Sequence, residues 1–147
     1  MDYKIENINK DEYNEVIHVW EASVRATHHF LKEEEILYYK PLILNNYLDA
    51  VELKSARNGA GKIVGFLGVA EKKLEMLFIH PEHRGKQIGK TLLNYSIEKM
   101  NVIKVDVNEQ NKQAVGFYKK CGFVVSSRSE LDSSGKPYPI LHMDLGN

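Results

Sequence analysis

The run Arg84-Gly85-Lys86-Gln87-Ile88-Gly89-Lys90-Thr91 constrains this chain more than any other stretch. An apolar segment, Met76-Leu77-Phe78-Ile79, leads into it through His80-Pro81-Glu82-His83, and residues 92–100 continue with helical spacing. Strand, glycine-bearing cationic loop, helix is the order in which a chain builds a seat for phosphates. Glycine lets backbone N–H groups turn toward a ligand. The first turn of a helix leaves N–H groups unpaired, and its dipole favours an anion. Arg84, Lys86 and Lys90 add side-chain charge. The expected ligand is a phosphorylated small molecule. A Walker loop is excluded by spacing, because it needs four residues between its glycines and only three separate Gly85 from Gly89.

The surrounding pattern predicts a single domain over residues 1–147. Residues 3–8 alternate apolar and polar as a strand does. Asn9 and Glu12 resemble a capping box, and Tyr13, Val16, Ile17, Trp20 and Val24 mark an amphipathic helix over residues 11–26. A second helical pattern, residues 33–46, contains Pro41, where a break is expected. Residues 51–56 and 62–69 read as strands joined by the turn Asn58-Gly59-Ala60-Gly61, and residues 74–79 as a third strand beside them. Then come a helix at 89–100, a strand at 102–107, a helix at 111–120 stopped by Gly122, and strands at 123–127 and 140–145. The order β-α-α-β-β-β-α-β-α-β-β predicts an α/β (α+β) fold, a mixed and mostly antiparallel sheet flanked by helices.

Acidic and basic residues balance at twenty each, which argues against a general nucleic-acid binder. No apolar run approaches the ~20 residues that span a bilayer, and the first residues lack a secretion leader. The single cysteine, Cys121, excludes an intrachain disulfide and reads as a small buried apolar residue. The expectation is a cytoplasmic protein, with neither membrane nor nucleic acid as partner. The His, Asp and Glu residues do not converge in any spacing that predicts a metal site.

Two motifs, with the element order, resemble the GCN5-related N-acetyltransferase family over nearly the whole chain. Arg84-Gly85-Lys86-Gln87-Ile88-Gly89 follows the family's Arg-x-x-Gly-x-Gly/Ala, with Gln87 where the family usually has glycine. Asn111, Ala114, Tyr118, Gly122 and Phe123 match Asn-x-x-Ala-x-x-x-Tyr-x-x-x-Gly-Phe without gaps. The stretches Ala26-Thr27-His28, Val107-Asn108-Glu109-Gln110-Asn111 and Gly135-Lys136-Pro137-Tyr138-Pro139 are similar to the bacterial YjaB-type branch, described as peptidyl-lysine acetyltransferases.

The resemblance implies transfer of acetyl from acetyl-CoA, as co-substrate, to an amine. Arg84, Gly85, Lys86, Gln87, Ile88, Gly89 and Lys90 would hold the diphosphate. Leu77, Phe78 and Ile79 would pair their backbone with the pantetheine amides. Tyr118 would protonate the leaving thiolate, since a phenol with a reference pKa near ~10 stays protonated at neutral pH. Asn111 lies two helical turns earlier, on the same face as Tyr118. Ala114, Phe117 and Cys121 are expected on another side, as core.

Glu75 is the first candidate for the base that deprotonates the acceptor, with His28, His29 and His142 as alternatives. The Glu75 assignment depends on strand alternation, which a one-residue slip reverses. The acceptor itself is open. A protein lysine, suggested by the branch, stands beside an amino-terminal amine, a polyamine or an antibiotic amine. Tyr38, Tyr39, Tyr47 and Tyr138 suggest an aromatic acceptor pocket. A homodimer is an expectation from family habit. The rival from another class is a non-catalytic acyl-CoA-binding sensor.

Overall fold

The computed structural model of the protein describes residues 3–146. Seven strands and four α-helices follow in the predicted order: β1 (Lys4–Asn7), α1 (Tyr13–Thr27), α2 (Glu33–Leu42), β2 (Glu52–Arg57), β3 (Ile63–Ala70), β4 (Lys73–Ile79), α3 (Ile88–Met100), β5 (Lys104–Asn108), α4 (Lys112–Lys120), β6 (Phe123–Ser129) and β7 (Ile140–Leu145). They form one sheet in the order β1-β2-β3-β4-β5-β7-β6. Every neighbouring pair is antiparallel except β4 and β5.

Apolar residues divide onto the two faces. Leu92 and Leu93 of α3 and Tyr118 of α4 pack with Leu67, Val69, Leu74, Val105, Val107 and Met143 on one side. Val16, Val19, Trp20 and Val24 of α1 pack with Ile36, Phe66 and Met76 on the other. The first turn before α1 is held as the capping pattern predicted. The Asn9 N–H donates to Glu12 at 2.9 Å, and Arg57 donates to both Glu12 carboxylate oxygens at 2.7 and 2.9 Å. The hydrogen bonds from Arg57, then that from Asn9, hold the Glu12 carboxyl down at about 2.

Pro41 does not break its helix. α2 passes through it, and the chain continues as a π turn, Ile43–Tyr47, and a 3-10 turn, Leu48–Ala50. A proline removes one N–H from the ladder and crowds the carbonyl four residues back. Just beyond Pro41 the bonding changes register: the Ile43 N–H reaches the Lys40 and Tyr39 carbonyls, and Leu48 reaches back to Ile43. Ile36, Ile43 and Leu48 are all buried against α1 and the sheet, which keeps the axis in place across the irregular turn.

The parallel pair β4–β5 decides where a ligand can go. Register matching joins Lys73 to Lys104 and Leu74 to Val105, and stops there. On its other side β4 carries a bulge against β3: Gly68 faces Met76 but Val69 faces Leu74, which leaves Glu75 as the extra residue. A bulge bends its strand and raises its twist. Leu74 accordingly points to the α3 face and Met76 to the α1 face. Beyond Leu74 the two strands diverge, and the edge of β4 from Glu75 to Ile79 has no β5 partner.

The two-residue turn between β3 and β4 is made by Glu71 and Lys72, both with positive φ, at 52° and 65°. This is the backbone that suits Asn-Gly, and side chains with a β-carbon hold it at a cost. Replacing Glu71-Lys72 with Asn-Gly should raise unfolding stability by about 1 kcal/mol in urea titration, with no change of fold.

Candidate active site

The divergence of β4 and β5 opens a cleft of about 930 Å³. Its narrow end lies at the last paired residues, Leu74 and Val105, and it widens toward Ile79 and Asn108. α3 and its preceding loop form one margin, α4 forms another, and the end of α1 contributes Thr27 and His28.

The loop before α3 is shaped by its backbone. Gly85 and Gln87 both take left-handed conformations, with φ of +78° and +66°. Gln87 is the residue before α3, and its carbonyl accepts from the Thr91 N–H at 3.0 Å and the Thr91 hydroxyl at 2.8 Å. The N–H groups of Ile88, Gly89 and Lys90 have no acceptor among the described residues, as the first turn of a helix dictates. The end of β4 is packed tightly under this loop: a β-carbon on Gly65 would lie 2.8 Å from Ile79 Cδ1 and 3.2 Å from the Phe78 carbonyl oxygen. The departure at Gln87 is thus one of side chain only, since the backbone keeps the conformation that glycine favours.

Arg84, Gly85, Gln87, Ile88, Gly89 and Lys90 line the cleft, as do Leu77, Phe78, Ile79, Glu75, Asn111 and Tyr118. Lys86, expected with them, is exposed and lies outside the lining. Ala114, Phe117 and Cys121 pack against the core as expected, but not on another side from Tyr118. They are half-buried and also line the cleft beside it, because α4 lies along the cleft margin.

Tyr118 is 7% exposed, packed edge-on against Phe117 and Phe123 with ring centroids 5.3 and 5.9 Å away. Burial pushes its phenol well above the ordinary value, so it carries its proton throughout the neutral range. The hydroxyl has no hydrogen-bond partner among the described residues. Asn111 is both a helix cap and a cleft residue. Its side-chain oxygen accepts from the Ala114 N–H at 3.2 Å, and its amide nitrogen lies 3.4 Å from His28 Nε2.

His28 closes the C-terminal end of α1, its backbone N–H on the Val24 carbonyl. Its Nδ1 lies 2.8 Å from the Thr27 hydroxyl, which itself donates to the Ser23 carbonyl. That arrangement assigns the proton to Nδ1 and leaves the Nε2 lone pair for Asn111. Burial, with a smaller contribution from His29, lowers its pKa to about 4. His29 is exposed and not part of the cleft.

The narrow end is acidic. Glu75, its side chain 34% exposed, and Asp106 both line it, and Lys73 Nζ lies between them at 3.2 and 2.9 Å. Burial alone would raise the Asp106 carboxyl, but hydrogen bonds from Lys73 and His142 outweigh it and hold the group low. Sequence reasoning missed Asp106 and Lys73. The signal was an acid between two valines, Val105-Asp106-Val107, in a strand read as buried. His142 lies behind this wall, outside the lining.

The tyrosines do not form an acceptor pocket. Tyr39 donates to Asp132 at 2.6 Å and Tyr138 donates to Glu35, while Lys136 sits 4.7 Å over the Tyr38 ring. Tyr47 is exposed. Tyr38, Tyr39 and Tyr138 tie the loop before β7 to α2, and none of the four lines the cleft.

A folded His28 that resists protonation makes a signed prediction. The unfolded side chain titrates near 6.5 and the folded one near 4, so its stabilising contribution is complete above pH 6.5 and is lost as pH falls toward 4. His28→Gln should flatten the loss of stability across that window, by at most about 1.4 kcal/mol per pH unit, the value for one proton. Urea unfolding at pH 4 to 7 measures it, and parallel slopes for the two proteins would count against a desolvated His28.

The sequence matches the profile of the Acetyltransferase (GNAT) domain over residues 51–125. It is 40% identical to Peptidyl-lysine N-acetyltransferase YjaB of Escherichia coli (strain K12) over 133 residues, 90% of each chain. The fold is similar to the solution structure of apo-form YjaB from Escherichia coli, with a TM-score of 0.91, 38% identity and complete coverage of both chains. It is also similar to PaiA N-acetyltransferase from Thermoplasma acidophilum, solved in complex with coenzyme A, with a TM-score of 0.74, 24% identity and coverage of 98% and 99%.

Proposed function

We propose that this chain, which belongs to the GNAT acetyltransferase family, moves acetyl from acetyl-CoA directly to a primary amine, with a protein lysine as acceptor and Tyr118 as general acid. The observation that carries the reading is the cleft itself. It combines a strand edge, a row of N–H groups and a buried phenol that all lack a partner among the described residues.

Each residue's part follows from its place. The N–H groups of Ile88, Gly89 and Lys90, with the Arg84 and Lys90 side chains, suit a diphosphate at the loop end. The Gln87 amide lies at the same margin and can donate there. The free edge at Leu77, Phe78 and Ile79 can pair with an amide-bearing arm as a neighbouring strand would. A thioester supplies an acyl carbon open to attack and a thiolate that leaves. Tyr118 donates its proton to that sulfur. At the narrow end, Glu75 and Asp106 form a carboxylate pair that attracts the acceptor ammonium and takes its proton through water. The lysine acceptor is supported by the relatives named peptidyl-lysine N-acetyltransferases.

The test is acetyl-CoA turnover, read as free thiol released, against lysine peptides, an amino-terminal peptide, polyamines and aminoglycosides. Lysine peptides should give the highest kcat/KM. Tyr118→Phe should lower kcat about 100-fold with little change in KM for acetyl-CoA, and Arg84→Ala should raise that KM about tenfold with little change in kcat. Binding of acetyl-CoA without acetylation of any amine, with Tyr118→Phe altering affinity alone, would make the protein a sensor of acyl-CoA.

A further inference from the structure

A string of hydrogen bonds runs from the narrow end of the cleft to the edge of the sheet, and its far members, His142 and Ser129, have no part in acetyl transfer as described. Asp106 Oδ1 lies 2.7 Å from His142 Nδ1, and His142 Nε2 lies 2.6 Å from the Ser129 hydroxyl. Three adjacent strands supply the three side chains. Asp106 on β5 stands opposite His142 on β7, and Ser129 on β6 stands diagonal to it, opposite Ile140. A bulge between Val125 and Ser127 sets that register, and Ser126 there donates its hydroxyl to the His142 carbonyl at 3.0 Å. Bulges re-aim side chains in this way.

The carboxylate assigns the protons. Asp106 is held ionised and only accepts, so His142 Nδ1 donates to it. A neutral imidazole then carries its lone pair on Nε2, and the Ser129 hydroxyl donates there. Asp106 is itself fixed, since its other oxygen accepts from Lys73 at 2.9 Å. The hydroxyl thus faces a base whose tautomer and ring plane are both set. The carboxylate also lies against the positive charge that appears when the base takes a proton. An acid that orients a histidine against a hydroxyl is the arrangement that makes an alcohol a nucleophile.

We propose that Ser129 is a nucleophile, with His142 as its base and Asp106 as the positioning residue of that base, and that it takes acyl groups from small uncharged esters and passes them to water. This activity is separate from acetyl transfer. Ser129 Oγ forms a bond to the acyl carbon while its proton passes to His142 Nε2, and the carbonyl electron pair moves onto oxygen. That pair returns, the bond from carbon to the leaving oxygen breaks with its electrons, and the leaving oxygen takes the proton from Nε2. Water then attacks the acyl-serine, Nε2 receives the water proton, and Ser129 Oγ leaves and recovers it. The products are the alcohol and the carboxylic acid, and the protein ends unchanged.

The surroundings fit such a substrate. Neighbouring strands lie about 4.8 Å apart, so Ser129 is roughly 10 Å from the cleft wall at Asp106, and a thioester seated in the cleft does not meet it. The ester arrives instead on the face of β5, β7 and β6 opposite the one where Val105, Val107 and Met143 pack with α4. The His142 side chain is 35% exposed there and Ser129 is half-buried. Ile140, opposite Ser129 on the same face, offers apolar contact to a short acyl chain. β6 is the last strand of the sheet, so alternate N–H groups along its outer edge point to solvent and are placed to donate to an oxyanion. The nearby lysines are paired, Lys73 with Asp106 and Lys104 with Asp144, which suits an uncharged ester over an anionic one.

The experiment uses the full chain without acetyl-CoA, with p-nitrophenyl acetate as substrate and a fluorophosphonate as serine-directed probe. Peptide mass spectrometry locates each adduct. Wild type should hydrolyse the ester, and both the acetyl and the phosphonyl group should be found on Ser129. Ser129→Ala should lower kcat/KM for the ester about 100-fold, while its acetyl-CoA-dependent transfer to the best amine stays within about twofold. His142→Ala should lose ester hydrolysis to the same degree. Asp106→Asn should lower it about 100-fold and Asp106→Glu only about tenfold, a graded recovery that a loss of fold would not show. Adducts on lysines or Cys121 with none on Ser129 overturn the proposal. So does a Ser129→Ala protein that hydrolyses the ester at the wild-type rate. If the His142 or Asp106 variants fail to fold by circular dichroism, the position of the adduct on wild-type protein decides: on Ser129 it supports the proposal, and elsewhere it ends it.

Discussion

Everything in the site follows from hydrogen bonds that two strands do not make. β4 and β5 pair over two residues and then part, and the parted edges are what the rest of the molecule is arranged around. A parallel sheet that loses its ladder in the interior should be costly, because buried N–H and C=O groups need partners. The cost is tolerable here because the gap is open to solvent along its length and offers its edges to an extended, amide-bearing ligand. The bulge at Glu75 is the local cause. One extra residue turns Leu74 and Met76 onto opposite faces, so β4 can serve both cores while its second half bends away from β5. The same residue carries a carboxylate to the narrow end of the cleft.

The order of elements was legible because each one carries a periodicity set by its own side chains. α1 shows its buried face every third or fourth residue, and the turn at residues 58–61 is fixed by the Asn58 side chain accepting from Ala60 and Lys62. The Asn111 cap and the stop at Gly122 were legible for the same local reason. The bulge was not. Leu74, Met76 and Phe78 alternate as if on one face, and the switch between faces depends on pairing with β3, which no local pattern encodes. The Asp106–His142–Ser129 string was hidden likewise, since its members stand 36 and 13 residues apart. Proline at position 41 misled because propensity speaks for the interior of a regular helix. Here burial of Ile43 and Leu48 holds the chain helical in a looser register.

Among the described residues, four other than glycine have positive φ. Glu71 and Lys72 make the reversal into β4, Gln87 makes the entry to α3 and Asn101 ends that helix. Each carries strain that the surrounding ladder and core must hold. At Gln87 the strain sits on the margin of the cleft, beside the unpaired N–H groups. Retaining a side chain there adds an amide donor to a place where glycine would give backbone alone.

Asn111 has a consequence for which atoms can approach it. Its oxygen spends one of two lone pairs on the Ala114 N–H, and one NH₂ hydrogen is directed at a histidine lone pair. The second NH₂ hydrogen is left over for a visitor resting against this part of α4. The helix's own need for a cap thus fixes the amide so that this corner of the wall can greet a carbonyl-bearing guest before any charge is consulted.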